Sequence, residues 1–148
     1  MKSLFNSAHN REIIDRINKL TNESNALWGK MNVSQMLYHC QVPLEVAYGE
    51  LKLKKTFIGF LFGRIAKKQL LTKPFKKHLP TDKHFLVKHQ PEFENSRKKL
   101  IALVERFAVD GTAGITKDSH PFFGKMTSEE WDILQWKHLD HHLSQFGA

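Results

Sequence analysis

The segment Trp131–Phe146, WDILQWKHLDHHLSQF, has the spacing of one amphipathic helix. At about 100° per residue, Trp131, Leu134, Gln135, His138, Leu139, His142 and Phe146 share a face. His138 and His142 therefore stand one turn apart within an apolar stripe, with His141 toward its edge. A lone histidine on such a face is ordinarily a core residue with one hydrogen-bond partner. Two are harder to place, because each ring nitrogen buried without a partner costs roughly 1–3 kcal/mol. Imidazoles at i and i+4 can converge on one metal ion. The pair needs a third ligand from elsewhere in the chain.

The rest of the sequence supplies helices to pack against this face. A first helix is expected from about Asn10 to Leu20, with Ile13, Ile14, Ile17 and Leu20 as its stripe and Asn10 as N-cap. A second starts near Asn32, where Asn32 and Gln35 resemble a capping box. Val33, Met36, Leu37, Cys40, Leu44 and Ala47 form its inner stripe, and His39 lies on the flank. Pro43 removes a donor from its interior, which predicts a kink or a loosened turn. A third helix opens around Pro91, carries Phe93, Leu100, Ile101, Val104, Phe107 and Ala108 on one face, and stops near Gly111. Thr127 with Glu130 opens the last.

Four helices, no strand pattern and one long second connection predict an all-α fold, a four-helix bundle forming a single domain over residues 1–148. The connection, from about Gly49 to Gln90, is irregular and basic. Phe57, Ile58, Phe60, Leu61, Phe62, Ile65 and Leu70 suggest a short helix or a flap whose aromatics cover apolar surface. His78, His84 and His89, each beside a lysine or close to one, read as solvated.

The formal charge of +8 comes with lysines clustered between residues 52 and 88. Such a face either keeps the protein soluble or binds an anionic partner: nucleic acid, lipid or a small molecule. No nucleic-acid motif is present, so a nucleic-acid partner is not the first expectation. One cysteine, Cys40, excludes an intrachain disulfide and fits a reducing compartment. Its place on the inner stripe makes it a filler rather than a nucleophile. The opening stretch MKSLFNSAHNREII has no apolar run long enough for a secretory signal, and no run approaches the ~20 residues of a membrane span, so a soluble, cytoplasmic protein is expected.

Two segments, WGKMNVSQMLYHC (Trp28–Cys40) and HPFFGKMTSEEWDILQWKHLDHHLSQFG (His120–Gly147), resemble the DinB-like (DinB/YfiT) superfamily, and within it a bacterial branch with an HPxFG loop before the last helix. The resemblance implies a four-helix bundle that holds a divalent ion through one histidine of the second helix and two, four apart, of the last. Here these are His39, His138 and His142. It implies zinc or nickel as the ion, both of which accept imidazole. It further implies a metal-dependent transferase acting on a low-molecular-weight thiol, and often a homodimer. Three protein ligands leave a coordination position where a thiol loses its proton, or where water is activated for hydrolysis. His141 remains a competing partner for His138 at i, i+3. His120 admits two roles: a substrate contact or outer-shell group over the site, or a turn residue fixed by Pro121.

Overall fold

In the computed structural model, residues 2–54, 57–78 and 85–148 are described, Phe60 in its backbone alone. Expectations that fall on Lys55, Lys83, Pro80, His84 and the Phe60 side chain lie outside these. The chain is helical, with α1 (Ser7–Asn18), α2 (Val33–Ala47), α3 (Phe57–Thr72), α4 (Phe93–Asp110), a 3-10 turn (Gly111–Gly114) and α5 (Ser128–Gln145). Among the described residues there is no strand, only an isolated bridge between His120 and Gly124.

Local chemistry sets where the helices begin. Asn32 accepts from the Gln35 amide at 2.9 Å while Gln35 Oε1 accepts from the Asn32 amide at 3.1 Å. Thr127 and Glu130 repeat the device at the start of α5, at 3.1 and 3.0 Å. At α4 the cap is Glu92, one residue after Pro91, and Gly111 ends the helix with a φ of 57°. α1 departs from expectation. Its cap is Asn6, which accepts from the amides of Ala8 and His9, so the helix starts well before Asn10. Asn10 is buried within it, and its Nδ2 donates to the carbonyls of Leu4 (2.9 Å) and Val104 (2.7 Å). An asparagine saturated by two main-chain acceptors is worth more inside the core than at a helix end. α2 runs unbroken through Pro43, whose carbonyl accepts from Gln135 Nε2 of α5 at 3.3 Å.

Helices α1, α2, α4 and α5 share one core. Ile13 and Ile17, Met36, Leu37 and Leu44, Leu100, Val104 and Phe107, and Trp131, Leu139 and Leu143 interlock with almost no exposure. α2 packs chiefly on α4, and α5 touches α1 and α2. Arg16 fastens α1 to α5 through Asp140 (2.7 Å), Ser144 and the carbonyl of Ala148.

The second connection is more ordered than expected, because α3 is a full 16-residue helix. It packs on α5. Lys67 reaches the Lys125 carbonyl and Glu130, and Lys137 of α5 donates to the carbonyls of Leu70 and Lys73 near its C-terminal end. The expected role of its apolar side chains is corrected. Phe57, Ile58, Leu61, Phe62 and Ile65 are each more than half exposed and face outward. α3 packs through small residues instead: Gly59 and Gly63 are buried, and a Cβ at Gly63 would overlap the Phe122 carbonyl.

Candidate metal centre

Helical register brings three imidazoles together. His39 is on the second turn of α2 because the Asn32–Gln35 box fixes where that helix begins. His138 and His142 are stacked one turn apart on α5, whose start is fixed by Thr127. His39 Nε2 lies 3.0 Å from His138 Nε2. Ring centroids are 5.0 Å apart for His39–His138, 4.7 Å for His39–His142 and 4.6 Å for His138–His142. One nitrogen from each can be chosen so that all three lie within 4.8 Å of one another. Imidazoles around a single zinc ion have nitrogens about 3.3 Å apart, so the cluster is near the size such an ion requires.

Two of the rings have their outward nitrogen fixed. His39 Nδ1 lies 2.9 Å from the Phe85 carbonyl, which can only accept, so Nδ1 carries the proton. His142 Nδ1 lies 2.8 Å from Gln145 Oε1. The Gln145 amide is oriented because its Nε2 donates to the Trp28 carbonyl at 2.5 Å, leaving oxygen toward the ring. In both residues Nε2 is thus the unprotonated nitrogen, the state that outer-shell groups impose on histidine ligands, and that of His39 lies against His138.

His138 completes the test. With His39 Nε2 bare, a hydrogen bond at 3.0 Å puts the other proton on His138 Nε2, and His138 Nδ1 is then a lone pair closed off from solvent with no partner. That orphan costs roughly 1–3 kcal/mol. Bonds to a shared cation would offset it. Burial holds all three rings neutral. It lowers His39, assisted by His141. It drives His138 well below the ordinary imidazole range, reinforced by His142 and His39. It brings His142 to about 3, with His39 contributing. Neutral imidazole is the state that ligates metal. The donor set therefore fits a divalent ion accepting nitrogen ligands, zinc and nickel included.

The other histidines separate from this cluster. His141 points to a half-open pocket of about 240 Å³, lined by Trp28, Phe75, Lys77, Lys137 and Asp140 among others. Its ring meets Trp28 and Phe75, each at 5.8 Å, as well as His142 at 5.1 Å. Phe75 bridges from this pocket to His138, 6.4 Å away. His120 is buried in its own turn. Its Nδ1 accepts from the amides of Phe122 (3.0 Å) and Phe123 (3.1 Å), and its ring stacks on Phe123 and packs against Trp131. Trp131 precedes His138 by seven residues, about 10 Å along the helix axis. His120 therefore sits one to two turns from the cluster and makes the contacts of a turn residue. His78 and His89 are exposed, as expected.

Cys40 is buried, donates to Met36 Sδ at 3.7 Å, and has its thiol pushed up by burial. Gln145, the Phe85 carbonyl and Phe75 were not anticipated. Gln145 had a signal, three residues beyond His142 on the same helix. The Phe85 carbonyl had none, because a main-chain oxygen carries no residue identity.

A family model described as "Protein of unknown function (DUF1569)" matches residues 3–148. No curated protein and no solved structure matches the chain.

Proposed function

The chain belongs to the DUF1569 family of proteins of unknown function, and from its histidine centre we propose a divalent-metal-dependent enzyme of DinB-like four-helix build. His39, His138 and His142 hold the ion, zinc or nickel. The observation that carries this reading is the convergence of one ring nitrogen from each of the three histidines within 4.8 Å, with Nδ1 of His39 and of His142 already held by an acceptor. Structural polar clusters satisfy their own hydrogen bonds, whereas this one leaves His138 Nδ1 buried without a partner. A bound ion with three protein ligands supplies an open position at which a thiol or a water gives up its proton at neutral pH.

The chain's own residues favour thiol transfer over hydrolysis. Its single thiol, Cys40, is buried and faces Met36, so a sulfur nucleophile comes from a small molecule. Among the described residues no carboxylate joins the three imidazoles, and Asp140, which lines the adjoining pocket, is paired with Arg16 at 2.7 Å rather than free to serve a hydrolytic water as base. The adjoining pocket is bounded by the Trp28 and Phe75 rings, by two cations, Lys77 and Lys137, and by Asp140, whose charge is paired with Arg16, so the lining suits an anionic thiol or acid. Lys77 lies 4.3 Å over the Trp28 ring and is held at the rim.

Elemental analysis of protein purified without chelator tests the centre. Wild-type protein is expected to carry one equivalent of zinc or nickel, and His142→Ala to carry little. Metal-free wild-type protein, or full loading in the variant, removes the proposal. Thiol conjugation of a bimane electrophile above the spontaneous rate, lost in His142→Ala, tests the reaction itself.

A further inference from the structure

We propose that α3 is an interfacial helix that docks this protein on an anionic lipid surface, independently of any reaction at the histidine centre. The helix is turned apolar side out. Phe57, Ile58, Leu61, Phe62 and Ile65 are between 52% and 75% exposed. Their spacing puts them on one arc of about 140°. The buried Gly59 and Gly63 lie on the opposite side, where Gly63 meets the Phe122 carbonyl. A helix that packs through glycines and presents phenylalanine, leucine and isoleucine to solvent has its ordinary polarity reversed. Five neighbouring large apolar side chains are a patch, not scattered surface residues.

Charge identifies the occupant. From residue 51 to 81 the chain carries eight lysines and one arginine and no acidic residue. That is +9 in a protein whose total is 23 − 15 = +8, so everything outside the segment sums to 14 − 15 = −1. On α3 itself Arg64 borders the apolar arc and Lys68 lies on it nearer the C-terminal end, and both are exposed. A second copy on the same face would bring two such segments together with nothing to neutralise them. Nucleic acid would meet the cations but leave isoleucine and leucine in water. An anionic bilayer satisfies both features, taking the apolar arc into the acyl boundary and the lysines among the headgroups. No helix of the described residues is long and apolar enough to cross a membrane, so the attachment is to one surface.

Co-sedimentation of the full chain with phosphatidylcholine vesicles, with and without about 30% phosphatidylglycerol, tests the docking. Wild-type protein is expected to bind the anionic vesicles at least about tenfold better than the neutral ones, and to be released as salt rises. The combined variant Ile58→Ser, Phe62→Ser and Ile65→Ser alters exposed positions only. It is expected to keep the wild-type melting temperature and lose vesicle binding about tenfold or more. Should that variant misfold, Arg64→Gln with Lys68→Gln must show the same direction of loss. Three results overturn the proposal: no binding to anionic vesicles; a dimer in sedimentation velocity that the triple variant dissolves, without vesicle binding; or duplex DNA binding that the triple variant retains while vesicles are ignored.

Discussion

A ligating imidazole is held by the atom that fixes its other nitrogen, and at His142, one of the three proposed ligands, Gln145 Oε1 is placed to be that atom. Gln145→Leu keeps the volume and removes the acceptor. Metal affinity is expected to fall by about 10- to 100-fold, and stability by about 1–2 kcal/mol because the Trp28 carbonyl loses its donor. Gln145→Glu restores an acceptor to His142 but not a donor to Trp28. Affinity, read by chelator competition, should therefore recover while the urea midpoint does not. Equal affinity in the leucine variant and wild type would show that the amide orients nothing. His120 separates in the same way. Its Nδ1 serves two amides in a closed turn, so His120→Ala should cost about 2–3 kcal/mol and leave metal content unchanged. A variant that stayed stable but lost metal would put His120 in the site after all.

At the scale of elements, what was legible was what is local. Asn32 with Gln35 and Thr127 with Glu130 declare helix starts three residues apart, and both boxes close as read. Those two starts set the register that puts His39, His138 and His142 at one level; periodicity alone shows the His138–His142 pair, whereas His39 as its third member rests on the resemblance. Thr127→Ala should cost about 1 kcal/mol in urea unfolding. An unchanged midpoint would mean that the Lys67–Glu130 pair at 2.9 Å, or tertiary packing, fixes the helix start instead. α1 was displaced because Asn6 and Asn10 are equally good caps in isolation, and only the Val104 carbonyl, from another helix, draws Asn10 inward. The apolar residues of α3 suggest a short helix or a flap with its aromatics on the core; the helix is present, but they face outward. Nothing in a periodic stripe says which side of a helix meets protein. The glycines at 59 and 63 carried that information, since only a side without Cβ atoms could approach the HPFFG turn.

For the whole molecule, four histidines kept neutral by burial make stability depend on pH in one direction. His120 is brought to about 4 and His142 to about 3, and His39 and His138 are also lowered, each chiefly by desolvation. In the unfolded chain the same rings titrate near 6.5. Between those limits the unfolded state binds more protons, so stability is full above about pH 7 and falls as pH drops through 6.5. The loss levels off only below the folded-state values. Even two such groups remove about 2–3 kcal/mol per pH unit in the middle of the window, against a total of roughly 5–15 kcal/mol for a domain. Acid unfolding is therefore expected by about pH 4–5. Zinc should raise stability at pH 7 by about 4 kcal/mol at a thousandfold excess over its dissociation constant. That gain should vanish on acidification, because protons and the ion compete for the same nitrogens. Urea unfolding at several pH values, with and without zinc, reads both effects. Stability that is flat from pH 7 to pH 5 would mean that the rings are already charged or solvated in the fold. A zinc effect that survived at pH 5 would mean that the ion sits on carboxylates rather than on these three imidazoles.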